Sequence, residues 1–249
     1  MKTCIYSILS LIMISIIIPT YNEKENILLL IQSILAISHK NKLETEIIII
    51  DDNSPDKTGE IVKKEFNQNK IVHVFIRKHE RGLATAIFHG ITRAKGDMII
   101  SIDADFNHPP ELIPLLVDKL NTSDLVIASR FIKGGGMDEW GRYIGTYFFN
   151  YFLKYILGFP TMDNMSGYYA IRKNTLSQLD LKEIYRGYGE YHLRLVWRAS
   201  RLKMKIVEVP VYYKKRMYGK SKSHLFKMFF SYFIYALKLR LESAPPIVI

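Results

Sequence analysis

Asp103 and Asp105 stand one residue apart in the run Ser101-Ile-Asp-Ala-Asp-Phe-Asn-His-Pro-Pro-Glu111. Two carboxylates this close repel each other unless a cation sits beside them. A hard, oxygen-seeking ion such as Mg2+ meets that need, and it commonly brings diphosphate oxygens with it. An isolated Asp-x-Asp also fits a solvated acidic turn, so the rest of the chain has to decide. Three further polar clusters bear on it: Pro19-Thr-Tyr-Asn-Glu23, Asp51-Asp-Asn53 and Ser129-Arg130. Each follows a short apolar run of the kind that forms a buried strand. Asn, Asp and Pro are ordinary turn residues. Their recurrence at successive strand ends instead argues for one cleft, because parallel strands gather their carboxyl ends on a single edge where ligands collect.

The elements that must position these residues alternate. Strands are expected at 15–18, 46–50, 71–76, 98–102 and 124–129, with helices at 25–37, 58–66, 83–94 and 110–120. That order predicts an α/β fold with a mostly parallel sheet flanked by helices. Beyond it come the Gly134-Gly135-Gly136 loop, an aromatic-rich helix at 140–157 and a further strand at 207–213. A basic loop, Lys214-Lys-Arg-Met-Tyr-Gly-Lys-Ser-Lys222, precedes an apolar helical tail at 225–241. The expected organisation is an apolar leader at 1–13, one domain at 14–224 and an amphipathic tail at 225–249. The leader is short for a bilayer span and lacks a signal-peptide cleavage pattern. Met13 offers an alternative start.

Composition narrows the partners. The 249 residues are 48% hydrophobic, which excludes a disordered chain, and 35 Lys+Arg against 24 Asp+Glu leave a net charge of +11;. Such an excess points to an anionic partner: a phosphorylated ligand, nucleic acid or an acidic lipid surface. Nucleic acid ranks low, because the acidic strand ends would repel a polyanion. Cys4 is the single cysteine, which excludes an intrachain disulfide and a cysteine zinc site;. It fits a reducing, cytoplasmic location.

Taken in order, Pro19-Thr-Tyr-Asn-Glu23, Asp51-Asp-Asn-Ser-Pro-Asp56, Gly82 with Ala86 and Gly90, Asp103-Ala-Asp105 and Ser166-Gly167 resemble glycosyltransferase family 2. Asp103 to Glu111, Ser129-Arg-Phe131 with Gly134–Gly136, and Arg216-Met-Tyr-Gly-Lys-Ser-Lys222 are similar to the dolichol- and polyprenol-phosphate mannosyltransferases. The resemblance covers about residues 14–230 and implies a GT-A, Rossmann-like fold. It also implies a nucleotide-sugar donor, of the GDP-mannose or UDP-glucose type, and a bound Mg2+ or Mn2+. Carried over by position, Pro19, Tyr21, Glu23, Asp51 and Asp52 would border the nucleotide. Asp103 and Asp105 would bind its diphosphate through the metal. Asn107 stands where close relatives carry Gln and offers the same amide oxygen to the metal. Arg130 and Arg216 would meet the donor and acceptor phosphates, with Lys222 as an added point charge. Close relatives usually carry Glu where this chain has Lys220. Trp140 and Arg142 either touch the acceptor or anchor the glycine loop.

The implied reaction is inverting transfer of a sugar, mannose or glucose, to polyprenyl phosphate. A phosphate acceptor is already an anion, so arginine positioning replaces a general base. An alternative is a hydroxyl acceptor with Glu190 as base; there Tyr191 replaces the acid expected beside it;. A third reading is a binding module without catalysis, against which the acid pair and the arginines argue. The tail reads either as an interfacial helix on an anionic membrane or as a helix packed on its own domain. The protein is expected to be peripheral at the cytoplasmic membrane face, or to rely on a membrane partner. His108 lacks a spaced metal-ligand partner and reads as structural.

Overall fold

The computed structural model describes residues 12–215 and 225–242. Most of the apolar leader, together with Arg216, Lys220 and Lys222, lies outside them. Isoleucine dominates the first strands, and its β-branched side chain suits a pleated, buried surface. Strand β1 (Met13–Thr20) pairs in parallel with β2 (Glu44–Asp51), which pairs in parallel with β3 (Val72–Ile76). On its other side β1 pairs in parallel with β4 (Met98–Ser101). The sheet continues through β5 (Leu125–Ser129), β7 (Tyr169–Arg172) and β8 (Ile206–Pro210), in the order β3-β2-β1-β4-β7-β5-β8. A two-stranded ribbon joins β6 (Gly136–Met137) to β9 (Tyr212–Tyr213).

The expected mostly parallel sheet is present. The sequence reading missed β7, the one antiparallel member of the large sheet, lying between β4 and β5. Its four residues are too short a run to stand out by periodicity. The expected strand at 207–213 is broken at Val211, so that β8 stays in the sheet and β9 turns into the ribbon.

Alternation along the strands builds two apolar layers. Ile14, Ile16 and Ile18 face α1 (Ile27–Lys40) and α4 (Ile113–Leu120), with Leu30, Ile34, Leu116 and Leu120 buried against them. Ile17, Ile48, Ile50 and Ile99 face the other way, against α3 (Leu83–Ile91) and α8 (Tyr191–Arg201). Helix α2 (Thr58–Glu65) joins the first layer through Val62. Two single-turn helices, α6 (Lys173–Leu176) and α7 (Leu181–Ile184), lead into α8. A third cluster packs α5 (Trp140–Tyr155) and α9 (Leu225–Leu241) onto α8, through Leu153, Leu193, Trp197, Tyr232, Ala236 and Leu239. The apolar tail helix thus has one face on its own domain. Fully burying each such Leu or Ile side chain stabilises the fold by roughly 1.5–3 kcal/mol.

Helix α3 lies so close to β1 that a Cβ on Gly90 would stand 2.5 Å from Ile17 Cγ2. Gly90→Ala should therefore lower stability by about 1–2 kcal/mol, overpacking outweighing the helix-propensity gain. Thermal unfolding should show a melting temperature roughly 2–8 °C lower.

Candidate active site at the sheet switch point

Strand order reverses between β1 and β4, and Thr20 and Asp51 are paired at the carboxyl ends of β1 and β2. Asp103 follows two residues after β4 on the same edge. A cavity of about 340 Å3 opens there, lined by Pro19, Tyr21, Glu23, Asp52, Arg81 and Asp103 among others. Five of the expected nucleotide contacts therefore share one space. Glu23 also accepts a hydrogen bond from Asn26 Nδ2 (2.9 Å).

Asp51 corrects the expectation made for it. Its carboxylate is fully buried, accepts hydrogen bonds from Thr20 Oγ1 (2.9 Å), Ser54 N (2.9 Å) and Ser54 Oγ (2.6 Å), and does not line the cavity. It holds the β2 loop, because a carboxylate at 0% exposure must spend its lone pairs on local donors;. Asp52 does reach the cavity and is oriented from below. Arg77 donates to Asp52 Oδ1 through Nε (2.7 Å) and Nη2 (2.5 Å), and Gly82 N donates to Oδ2 (2.8 Å). Gly82 has a φ of +148°, which favours glycine, and this backbone turns its N–H onto Asp52;. Arg81 lies over the Tyr21 ring, 3.5 Å from its centroid, a cation–π contact that forms one wall;.

Asp103 also lines a second cavity of about 120 Å3, with Asn107, His108, Arg130, Arg142, Ser166, Tyr188, His192 and Tyr213 among its walls. Asp105 is buried, and Asn107 braces it, donating from its backbone N to Oδ1 and from Nδ2 to Oδ2 (3.1 Å each). Among the described residues no group of three or more His, Cys, Asp or Glu side chains is placed to hold a metal. Two carboxylates and one amide are nevertheless the oxygen donor set that suits Mg2+ or Mn2+, whose remaining ligands come from diphosphate and water. The residues present therefore fit the implied cation.

Arg130 does not present an open fork to phosphate. Its Nε and Nη2 donate to Asp163 Oδ2 and Oδ1 (2.8 Å each), and its backbone N donates to the same Oδ2 (3.0 Å). Burial acts to raise the Asp163 pKa, but the guanidinium overrides it and holds the carboxyl below its usual range. Arg130 is thus a clamped cation in the cavity wall rather than a mobile phosphate gripper. Arg142, in the first turn of α5, lies 3.8 Å from Glu139 and stays partly exposed in the same cavity. Glu190 is buried beneath the 187–189 turn, accepts from Tyr188 N (3.2 Å) and lines neither cavity.

Sequence reasoning missed Arg77, Arg81, Tyr188 and Asp163. Arg77 follows β3 directly, so the strand-end rule applied to the acids would have found it. Asp163 carries no such signal, since it lies in a loop 33 residues from its partner.

His108 and His192 are both buried, and burial, the dominant cause, pushes each down to about 4 from 6.5. The unfolded chain then takes up protons first. This contribution to stability is complete above about pH 6.5 and lost as pH falls toward about 4, on the order of 3 kcal/mol for each residue. Melting temperatures measured from pH 7 to 4.5 should fall steeply, and His192→Leu should remove about half of that slope.

The chain matches Glycosyl transferase family 2 over residues 15–179. It is 34% identical over 214 residues to the dolichol-phosphate mannosyltransferase of Pyrococcus furiosus, covering 84% of this chain and 58% of that protein. It is 35% identical over 212 residues to the undecaprenyl-phosphate mannosyltransferase of Micrococcus luteus, covering 83% and 85%. The polyprenol monophosphomannose synthase of Mycolicibacterium smegmatis is 31% identical over 244 residues, covering 94% and 90%. In fold it is similar to glucosyl-3-phosphoglycerate synthase from Mycobacterium tuberculosis, crystallised with Mn2+, UDP and glucosyl-3-phosphoglycerate. The TM-score is 0.70 at 22% identity, over 94% of this chain and 81% of that one. With the strand-end acids gathered at the switch point of a GT-A sheet, the chain belongs to glycosyl transferase family 2 and is a glycosyltransferase.

Proposed function

We propose that the protein transfers a hexose, mannose or glucose, from a nucleotide-sugar donor to polyprenyl phosphate, with inversion and with Mg2+ or Mn2+. The observation that carries this reading is the pair of cavities sharing Asp103. The larger one offers Pro19, Tyr21, Glu23 and Asp52 to a nucleotide. The smaller one sets Arg130 and Arg142 on the far side of Asp103, and Glu190 does not line it. A basic cavity without a separate carboxylate suits an acceptor that is already an anion, and a hydroxyl acceptor would want a base there. The relatives named for dolichyl, undecaprenyl and polyprenol phosphate support the same class of acceptor.

In this scheme an acceptor phosphate oxygen attacks the anomeric carbon as the bond to the nucleotide diphosphate breaks. Asp103 and Asp105 would hold the cation, which supplies Lewis-acid stabilisation to the departing diphosphate. Tyr21 and Arg81 shape the nucleotide wall, and Asp52 is kept in position by Arg77. Arg142 attracts the acceptor phosphate, assisted by the field of Arg130. Arg216 and Lys222, outside the described residues, are proposed to complete the acceptor site.

The lipid acceptor would be reached from a membrane surface. Helix α5 exposes Trp140, Ile144, Phe148, Tyr151 and Tyr155, and α9 exposes Phe230 and Phe233 nearby. Phe152 and Phe233 are 5.6 Å apart, so the two helices form one aromatic face beside Arg142. No helix among the described residues is long and apolar enough to cross a membrane. Aromatic rings flanked by Arg142, Lys154, Lys238 and Arg240 suit an anionic interface;. We propose peripheral binding at the cytoplasmic membrane face, directly or through a membrane protein partner.

Incubation with membranes and a panel of radiolabelled nucleotide sugars should place label in a mild-acid-labile lipid fraction. Asp105→Ala should lower that transfer about 100-fold or more, whereas Glu190→Gln should leave turnover near normal. A severe loss in Glu190→Gln with label in a glycan would favour the hydroxyl acceptor instead. In a separate flotation assay with anionic vesicles, Trp140→Ser with Phe148→Ser should reduce the bound fraction several-fold.

A further inference from the structure

We propose that Tyr213 is a positioning residue that keeps the Asp103 carboxylate turned to the cleft by taking the one hydrogen of His108. The Asp103 backbone N–H donates to His108 Nδ1 (2.9 Å). A neutral imidazole that accepts at one nitrogen carries its hydrogen on the other, here Nε2. Nε2 lies 2.8 Å from the Tyr213 hydroxyl and 3.6 Å from Asp103 Oδ2. The Tyr213 hydroxyl, the Ser166 backbone carbonyl and the Asp103 carboxylate all lie around this one N–H, and the phenol oxygen is closer to it than the carboxylate is. Tyr213 in turn donates to the Ser166 carbonyl oxygen (3.0 Å). The order from the Asp103 N–H through His108 to Tyr213 is fixed in this way, and the Ser166 hydroxyl is a further partner of the Tyr213 hydroxyl at 2.9 Å.

The ring of Tyr213 has a second contact of the same kind. Arg130 Cζ stands 4.9 Å from its centroid, so one side chain underlies both the acid on the donor side and the cation on the acceptor side. His108 is locked in plane by stacking on Tyr168, with centroids 4.8 Å apart. None of these groups needs to touch substrate. If the Tyr213 hydroxyl is removed, the Nε2–H is left between the Ser166 carbonyl oxygen and the Asp103 carboxylate 3.6 Å away, and is freer to engage the carboxylate. That contact would draw the carboxylate onto the ring and set it in competition with a cation.

The inference rests on the proposed role of Asp103 and Asp105 in holding Mg2+ or Mn2+. It is tested by titrating the full chain with Mn2+ in the presence of GDP or UDP, following free Mn2+ by electron paramagnetic resonance. Tyr213→Phe, which keeps the ring beneath Arg130, should weaken Mn2+ binding about tenfold, as loss of a group behind a metal ligand commonly does. In the double variant with His108→Asn, which keeps an acceptor near the Asp103 N–H but removes the competing Nε2–H, Mn2+ affinity should recover toward that of the parent. Mn2+ affinity of Tyr213→Phe within about twofold of the parent, or no recovery in the double variant, would overturn the inference. Failure of the parent chain to bind Mn2+ under any nucleotide would overturn the metal reading itself, a result distinct from the first.

Discussion

Charge that is kept from water must find a partner, and two buried arginine–carboxylate pairs meet that demand on either side of the cleft. Arg77 and Asp52 face each other with side chains 3% and 6% exposed, and Arg130 and Asp163 with 4% and 0%. Removing one member of such a pair leaves the other as an uncompensated buried charge, at a cost of about 3–5 kcal/mol. Each pair also joins segments distant in sequence. Asp52 draws the β3 end and the α3 entry onto the donor cavity, through Arg77 and Gly82 N. Asp163 ties the end of β5 to the loop before β7 and accepts the backbone N–H groups of Arg130 and Met165. Glu208 secures that loop further, accepting from Met162 N (2.8 Å) and Asp163 N (3.0 Å).

The antiparallel course of β7 explains how this loop enters the site at all. Tyr169 opens β7 and pairs with Ser101, the last residue of β4. The residues before Tyr169 therefore emerge at the same edge as Asp103, where a parallel strand would have left them at the opposite end. Asp163, Ser166 and Gly167 reach the cleft by that reversal. Gly167 carries a φ of +74°, and a Cβ there would lie 3.3 Å from the Tyr191 hydroxyl, so the turn is both left-handed and confined;.

The consequence for chemistry is a division of labour around Asp103. Aromatic and acidic walls on one side suit a nucleotide, and a compact cationic wall on the other suits an anion. The second wall is rigid. A guanidinium already bonded to a carboxylate reorganises little when a charged group arrives, and preorganisation of this kind makes electrostatic stabilisation effective. The exposed aromatic face of α5 and α9 begins next to Arg142, which joins the proposed lipid approach to the proposed phosphate site without a further element.

The alternation of strand and helix and the acids at successive strand ends are local properties, and the chain order alone determined them. Periodicity sets which face of an element is buried, and turn chemistry sets where the element stops. That Pro19, Tyr21, Glu23, Asp52 and Asp103 would gather around one space at the sheet edge was legible for that reason. Asp51 and Asp52 show the limit. They are adjacent and chemically identical, yet one is buried in its own loop and the other faces the cavity, because successive residues point to opposite sides of a strand end. Arg130 was readable as a strand-end cation but not as a clamped one, since its partner Asp163 comes 33 residues later. The course of β7, the Tyr213–His108–Asp103 chain and the packing of the tail helix on α8 likewise depend on contacts between segments far apart in the chain. Those contacts have no period and no spacing in the sequence, and only the folded structure decided them.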